Sequence, residues 1–204
     1  VKWDPTNGLR ADTLDEETIL KAVRAGCQYI IIAVESGVQR VLDEVIDKRL
    51  KLEKVREIAH ICKKLDIELY AYYVIGFPGE LLEEIKETLS YARRMQLKYF
   101  VYPQVAIASP IFGSRLYQIC KEKDYLADEV TPETLGVSYD AHGIGLIKTN
   151  EFMPADVRSL LTHYNRQFAI IMLFNALRRP RRLLKYIRTI LRNTYLLKRL
   201  FAKG

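Results

Sequence analysis

The chain has 204 residues, 49% of them hydrophobic, and a formal net charge of +7, and this length allows one substantial hydrophobic core. Residues 178–204 hold ten Lys/Arg and no Asp/Glu, and because these ten charges exceed the total of +7 by three, residues 1–177 are net negative by three. Composition excludes a disulfide framework, a C-x-x-C metal site and a membrane-spanning helix, since the three cysteines lie 35 and 58 positions apart and no apolar run reaches roughly 18 residues.

The predicted elements alternate between strands and helices from residue 1 to about 126. The expected strands are a short strand-like start within residues 1–10 that breaks at Asn7-Gly8, followed by 29–34, 67–75 and 99–108. The expected helices lie between Thr13 and Gly26 and at 38–47, 52–65, 81–95 and 114–122. Because this spacing matches strand–helix units, we predict consecutive βα units of one barrel-like parallel sheet. An open doubly wound sheet would show the same alternation, although the absence of G-x-G-x-x-G and G-x-x-x-x-G-K-[ST] disfavours dinucleotide and P-loop folds.

Local signals mark the ends of several helices. Thr13 and Glu16 have the spacing of a capping box, and Gly26 is expected to stop the helix that follows them. Beyond residue 126 the alternation fades into a loop around His142, the one histidine proposed as an acid or base, and a short strand at 144–149. Pro154 then opens a helix over 154–174, which is expected to pack on the body. A last helix after residue 180 is expected to be apolar on one face and basic on the other.

Three of the predicted strands end in small, acidic or kinked residues, at 34–37, 75–80 and 108–113. Loops at the carboxyl ends of parallel strands are where such folds bind ligands. Glu35 either accepts hydrogen bonds from a ribose diol or caps the helix near residue 38, and the residues alone leave both readings open. The glycines of 76–79 allow a sharp turn close to a flat ligand. Glu80 is read as the N-terminal charge of helix 81–95.

Taken in order, these motifs closely resemble the second half of a radical S-adenosylmethionine enzyme. The resembling stretches are residues 7–12, 25–27, 33–42, 46–48, 74–80 and 109–117. The nearest resemblance is to the group that carries a cobalamin-binding domain ahead of the radical domain, and residues 148–154 look like the C-terminal extension of that group.

The resemblance implies an α/β fold, a partial (β/α)6 TIM-like barrel. Residues 1–126 would form its C-terminal half, strands 3 to 6, followed by a helical extension over 127–177 and a basic amphipathic tail over 178–204. In this family a [4Fe-4S] cluster, supplied with an electron by a donor, cleaves S-adenosylmethionine to a 5′-deoxyadenosyl radical. That radical abstracts hydrogen from the substrate, and cobalamin would be bound by an upstream domain.

The resemblance also assigns cofactor contacts to individual positions. Glu35 and Ser36 match the motif that holds the ribose and the methionine part of S-adenosylmethionine. The adenine would lie beside the loop of Gly76, Phe77, Pro78 and Gly79. It would also contact the backbone of Ile107, Ala108 and Ser109. Lys48 corresponds to a position that meets the methionine carboxylate, and Arg10 would face the substrate or the cofactor. From spacing alone, Lys48 at a helix end is read as structural.

One family motif is missing from the sequence. The C-x-x-x-C-x-x-C loop that supplies three cluster thiolates is absent, as is the glycine–glutamate motif after the second strand. Cys27, Cys62 and Cys120 lie on separate predicted elements and cannot replace that loop, so no residue of this chain is assigned as a metal ligand. We therefore expect a fragment that begins at the third strand and is inactive by itself; a degenerate, cluster-free relative is the alternative.

The expected function is methylation, or another radical modification, of a small or lipid-linked substrate in the cytoplasm. A transfer-RNA-modifying methylthiotransferase-like enzyme is one alternative, and a non-catalytic α/β module tethered to a membrane or nucleic acid is another. For the basic tail, an anionic membrane surface is the first interpretation, since each basic residue near such lipid contributes about 1 kcal/mol. The alternative partners for the tail are RNA and a missing N-terminal half of the protein. Of these, a nucleic acid is not favoured.

Overall fold

A computed structural model describes residues 1–139, 145–180 and 183–184, without the side chains of 137–139. The three strands are β1 (Ile30–Glu35), β2 (Leu69–Ile75) and β3 (Tyr102–Ile107). The α-helices are α1 (Glu16–Arg24), α2 (Leu52–Lys64), α3 (Leu82–Tyr99), α4 (Arg115–Glu122), α5 (Pro132–Tyr139) and α6 (Pro154–Arg178). A 3-10 turn at Ala11–Thr13 and a π-helical turn at Val41–Val45 complete the described elements.

The strands form one parallel sheet in the order β1-β2-β3. Residues 3–9 run along the outer edge of β1, where Trp3 pairs with Cys27 and Leu9 with Ile32 as isolated parallel bridges. The short strand predicted within residues 1–10 is therefore reduced to two single bridges. The predicted alternation of parallel strands and helices is confirmed, and the arrangement is compatible with a partial α/β barrel.

The hydrophobic core lies between the sheet and its helices. Leu69, Ala71, Tyr73 and Ile75 are buried at every second position of β2, and Tyr73 meets Tyr91 of α3 with ring centroids 6.5 Å apart. The intervening β2 side chains on the opposite face are only half buried. On β2, therefore, only the face that carries Tyr73 is fully buried, whereas consecutive residues of β1 are buried on both faces.

Several helix ends differ from the predicted ones. The capping box of Thr13 and Glu16 is wrong, because Asp15 caps α1 by accepting a 2.7 Å hydrogen bond from the Thr18 backbone N–H. Helix α3 continues to Tyr99, four residues beyond its predicted end, and the left-handed Phe100 (φ 61°) then stops it. The third strand consequently begins at Tyr102.

The region after residue 126 also departs from the predicted pattern. Helix α5 lies where a loop was predicted, and the strand predicted at 144–149 is a single antiparallel bridge between Leu126 and Ile147. His142 and residues 185–204 lie outside the described residues, so the predicted last helix is not described.

Helix α6 begins at Pro154, as predicted, and packs on the body through α3. The Tyr164 hydroxyl lies 2.7 Å from the Ser90 hydroxyl, and the Gln96 side-chain amide donates to the Phe168 carbonyl at 2.9 Å. The helix extends to Arg178, beyond the predicted end at 174. None of the helices in the described part of the chain has both the length and the apolar character needed to cross a bilayer.

Candidate functional site

The first candidate residue, Glu35, stands at the carboxyl end of β1. Its backbone is left-handed (φ 70°), and the pairing of β1 with β2 shifts between Ala33 and Glu35. A non-glycine residue in this region is uncommon and persists where its surroundings hold it. Here Lys48 does so, because its ammonium group donates to Glu35 Oε1 at 3.1 Å and to the Ala33 carbonyl at 2.7 Å.

The Glu35–Lys48 pair is accessible to a ligand. The two side chains are 24% and 28% exposed, and the described residues provide no hydrogen bond to Glu35 Oε2. A carboxylate has lone pairs for about four hydrogen bonds and an ammonium group has three donors. The pair therefore keeps acceptor capacity and one donor available side by side.

Ser36 and Gly37 face the other way, into the contact with α3. The fully buried Ser36 hydroxyl lies 2.9 Å from the Thr88 hydroxyl and accepts from the Val38 N–H at 3.1 Å. A Cβ on Gly37 would lie 2.5 Å from Tyr91 Cβ, so only glycine fits. The cofactor role of the Ser36 side chain stays a prediction, while its visible role is to join β1 to α3.

The loop after β2 is held together from inside by Glu80. This residue is fully buried, and its Oε2 accepts hydrogen bonds of 2.7 Å from both the Gly76 and Phe77 N–H groups. The prediction that Glu80 is merely the N-terminal charge of the following helix is wrong, because Glu84 makes that contact by accepting from the Leu81 N–H at 2.9 Å. Burial raises the pKa of Glu80 to about 7, against the two backbone hydrogen bonds, which favour its charged form.

This folded-back carboxylate constrains what the 76–79 loop can offer to a ligand. Gly76 and Gly79 both have positive φ, at 86° and 98°, as predicted for a sharp glycine turn. The Gly76 and Phe77 amides already have an acceptor, so the groups that the loop leaves for a ligand are the side chains of Phe77 and Pro78 and backbone carbonyls. Phe77 and Pro78 are both half buried.

Arg40 connects this loop to the Glu35 motif, and the sequence reasoning gave it no role. Its guanidinium holds Glu84 in a bidentate pair at 2.6 and 2.5 Å and donates to the Gly79 carbonyl at 2.9 Å. The hydrogen bond from Arg40 holds the pKa of Glu84 below its usual value. The only sequence signal for this role was the position of Arg40, five residues after the glutamate that ends β1.

The third candidate segment follows β3 and lies beside the second. Ile107 pairs with Ile75 in the sheet, and the Ala108 N–H donates to the Ile75 carbonyl at 2.8 Å. A Cβ on Gly76 would lie 3.6 Å from the Ile107 side chain. Ser109 follows at a half-buried position. The structure therefore brings together the motifs after β2 and β3, as predicted for neighbouring parallel strands.

A cavity of about 710 Å³ opens beside the end of β1, lined by residues 7–12, Ala33 and 46–50. Arg10 and Lys48 both line this cavity. Arg10 is exposed and pairs with Asp12 at 2.6 Å, and this hydrogen bond lowers the pKa of Asp12. Glu35 does not line the cavity itself but is hydrogen-bonded to Lys48, which does. The 76–79 and 107–109 loops do not line it, and Phe77 and Pro78 face a second cavity of about 460 Å³ that shares Ile46 and Asp47 with the first.

The cysteines do not fit an iron–sulfur cluster. Cys27, Cys62 and Cys120 are buried on separate elements, and burial raises the pKa of each thiol, to about 12 for Cys62. Cluster ligands are thiolates that converge on one centre, and neither condition is met. Among the described residues, no group of three or more His, Cys, Asp or Glu side chains is placed to hold a metal ion.

Comparison with known proteins identifies relatives among methyltransferases. The chain is 31% identical over 133 residues to cytidylyl-2-hydroxyethylphosphonate methyltransferase of Streptomyces wedmorensis, a match that covers 62% of this chain and 24% of that protein. It is 28% identical over 118 residues to an uncharacterized methyltransferase of Pyrococcus horikoshii, which covers 58% and 24% respectively. No family model matches the chain. The chain spans about a quarter of the length of these curated relatives.

Proposed function

We propose that this chain is the part of a radical S-adenosylmethionine methyltransferase that holds the nucleoside and the amino-acid portion of the cofactor. The single observation that carries the proposal is the Glu35–Lys48 pair, a partly exposed carboxylate and ammonium 3.1 Å apart at the end of β1. The similarity to two methyltransferases supports the reaction class.

The chemistry of the pair suits the polar ends of S-adenosylmethionine. Glu35 Oε2 would accept hydrogen bonds from the ribose hydroxyls, and Lys48 would donate to the methionine carboxylate. Arg10 adds a second positive charge to the lining of the cavity that Lys48 also lines. Bound S-adenosylmethionine would supply both the methyl group and the radical chemistry of this class. These side chains would bind and orient it.

The loops after β2 and β3 would receive the adenine. Glu80 fixes the 76–79 turn by accepting from two of its amides, so the surface of Phe77 and Pro78 is set before any ligand arrives. Ile107, Ala108 and Ser109 would offer backbone groups on the neighbouring strand. Such preorganisation lowers the entropy cost of binding.

The cluster and cobalamin would be held by parts of the whole protein other than this chain, since its buried cysteines do not fit a cluster. The substrate is proposed to be a small or lipid-linked molecule. The small-molecule proposal is supported by the relative whose name specifies a cytidylylated phosphonate.

The test is the binding of S-adenosylmethionine to the whole protein by equilibrium dialysis. Replacing Glu35 by alanine removes the acceptor for the ribose diol and should weaken binding at least tenfold, while the visible absorption of the cluster stays unchanged. Glu57→Ala is the matched control, because Glu57 is also paired with a lysine, Lys54, at 2.7 Å but lies on α2. Equal affinities of Glu35→Ala, Glu57→Ala and the wild type would remove Glu35 from the binding site.

A further inference from the structure

The outward face of α6 changes character along the helix. On one helical face, the first turns carry Asp156, Ser159, His163 and Arg166, and all four are exposed. The same face then continues with Ile170, Leu173, Phe174 and Leu177, which we call the apolar stripe.

The apolar stripe is strongly exposed. Its four side chains are 66%, 65%, 53% and 72% exposed in chain order. The opposite face of the same turns is already used, because Phe168, Ile171 and Asn175 are buried against the body. A surface helix normally presents polar residues to solvent, so a contiguous apolar stripe there indicates a surface that contacts something else.

The chain that follows the stripe is basic. Residues 178–204 contain ten Lys/Arg and no Asp/Glu. Arg178 and Arg179 are engaged with the body, since both guanidinium groups lie over the Phe100 ring, at 5.0 and 4.6 Å from its centroid, and Arg179 pairs with Asp66. These contacts fix the end of α6. Eight further Lys/Arg follow in the sequence.

We propose that the apolar stripe of α6 docks on the surface of an anionic lipid bilayer. An amphipathic segment with aliphatic and aromatic residues on one side and an excess of Lys/Arg beside them binds such interfaces in two ways. The apolar side chains are buried at the bilayer surface, and the basic residues are attracted to the anionic lipid. The stripe spans residues 170–177, roughly 11 Å of helix, which suits contact with the surface and is far too short for crossing.

The charge distribution favours a membrane over other occupants. A second copy on the stripe would bring two strongly basic segments together, which like-charge repulsion opposes. RNA would attract the basic residues but offers no partner for Ile170, Leu173 and Leu177. An anionic bilayer meets both the charge and the aliphatic side chains.

The docking surface lies at the far end of α6 from the candidate site. Val157, in the first turn of the helix, is close to Gly76, within 3.7 Å of the position of an added Cβ. Asn175 instead donates to the Gln96 carbonyl at 2.9 Å, near the start of β3. Since α6 is about 36 Å long, a bilayer on the stripe would leave the cavity at the carboxyl edge of the sheet accessible.

The test is co-sedimentation of the full chain with vesicles of phosphatidylcholine containing 30% phosphatidylserine. The protein should bind these vesicles at low salt, lose most binding at high salt and show little binding to pure phosphatidylcholine. The double variant Leu173→Glu/Leu177→Glu should reduce partitioning more than tenfold. The control Ser159→Glu/His163→Glu adds two carboxylates at the same spacing on the same face, outside the stripe, and should reduce it much less.

Several outcomes would overturn the proposal. One is equal loss of binding in both double variants, because charge alone would then explain it. Another is a protein dimer that Leu173→Glu/Leu177→Glu dissociates, which would assign the stripe to a second copy. Binding to RNA in preference to the vesicles, unchanged by that variant, would also reject it. The substituted side chains are exposed, so unchanged far-ultraviolet circular dichroism is expected for both variants.

Discussion

The two ends of the sheet differ in how far their side chains find partners within the protein. At the carboxyl edge, charged groups are joined inside the protein: Lys48 to Glu35, Arg40 to Glu84, and Glu80 to two backbone amides. At the opposite end, α6 leaves the apolar stripe exposed next to a run of basic residues. The difference teaches that the first region satisfies its polar groups within the protein, whereas the second leaves an apolar surface exposed, which we propose a membrane covers.

The largest expected effect tests how rigidly the carboxyl edge is built. In Gly37→Ala the new Cβ would lie 2.5 Å from Tyr91 Cβ and 3.0 Å from Thr88 Cα, so β1 and α3 must move apart. We expect the free energy of unfolding to fall by about 3 to 4 kcal/mol, measured by urea denaturation, as for a severe overpacking change.

Gly136→Ala is the matched control for this change. An added Cβ at Gly136 meets no atom within 4 Å, and the residue lies in α5, where alanine is the better helix former by up to about 1 kcal/mol. The control should be neutral or stabilising. If the two alanine variants were equally stable, the contact between β1 and α3 would not be the rigid element of this edge.

Sequence reasoning captured the elements with a strong local signal. The apolar runs of β1 and β2 and the start of α6 at Pro154 were found because burial on a sheet and a first-turn proline leave clear patterns. It failed at Phe100, since an aromatic residue is not an expected left-handed helix stop. That failure displaced the start of β3.

The sequence placed the candidate segments at strand ends but did not predict the partners that hold them. Glu35, Gly76 and Ala108 do lie at the carboxyl ends of neighbouring strands. Glu80 was misread because a glutamate before a helix has the same local pattern whether it caps the helix or folds back into the loop. The Arg40–Glu84 pair joins residues 44 positions apart, and only the packing of α3 against the loop brings them together.

Glu80 makes the stability of the carboxyl edge depend on pH. Because burial raises its folded pKa to about 7 from 4.5, the folded state binds more protons than the unfolded state between these pH values. This contribution to stability is fully present below about pH 4.5 and is lost as the pH rises through about 7. We expect a loss of about 2 to 3 kcal/mol over that window.

Glu80→Gln isolates this contribution from the other carboxylates. Glutamine does not titrate and its side-chain oxygen can still accept from a loop amide, so the variant should gain stability relative to the wild type as the pH increases from 5 to 8. Urea denaturation at several pH values gives the difference curve. A stability difference independent of pH would show that Glu80 is charged throughout and that burial does not dominate its pKa.

The smallest expected effect tests whether Arg40 links the two halves of the carboxyl edge. Lysine at position 40 keeps the charge but cannot make the bidentate contact with Glu84 and the bond to the Gly79 carbonyl together. Since Arg40 is partly exposed, we expect Arg40→Lys to cost only about 1 kcal/mol. Amide hydrogen exchange in the 76–80 loop should nevertheless become several-fold faster.

Arg94→Lys, which breaks a comparable but more exposed pair with Glu87 at 2.5 Å, should leave that exchange unchanged. Equal exchange in both variants would mean that Glu80 alone orders the loop, and that the 76–79 turn is fixed independently of the Glu35 motif.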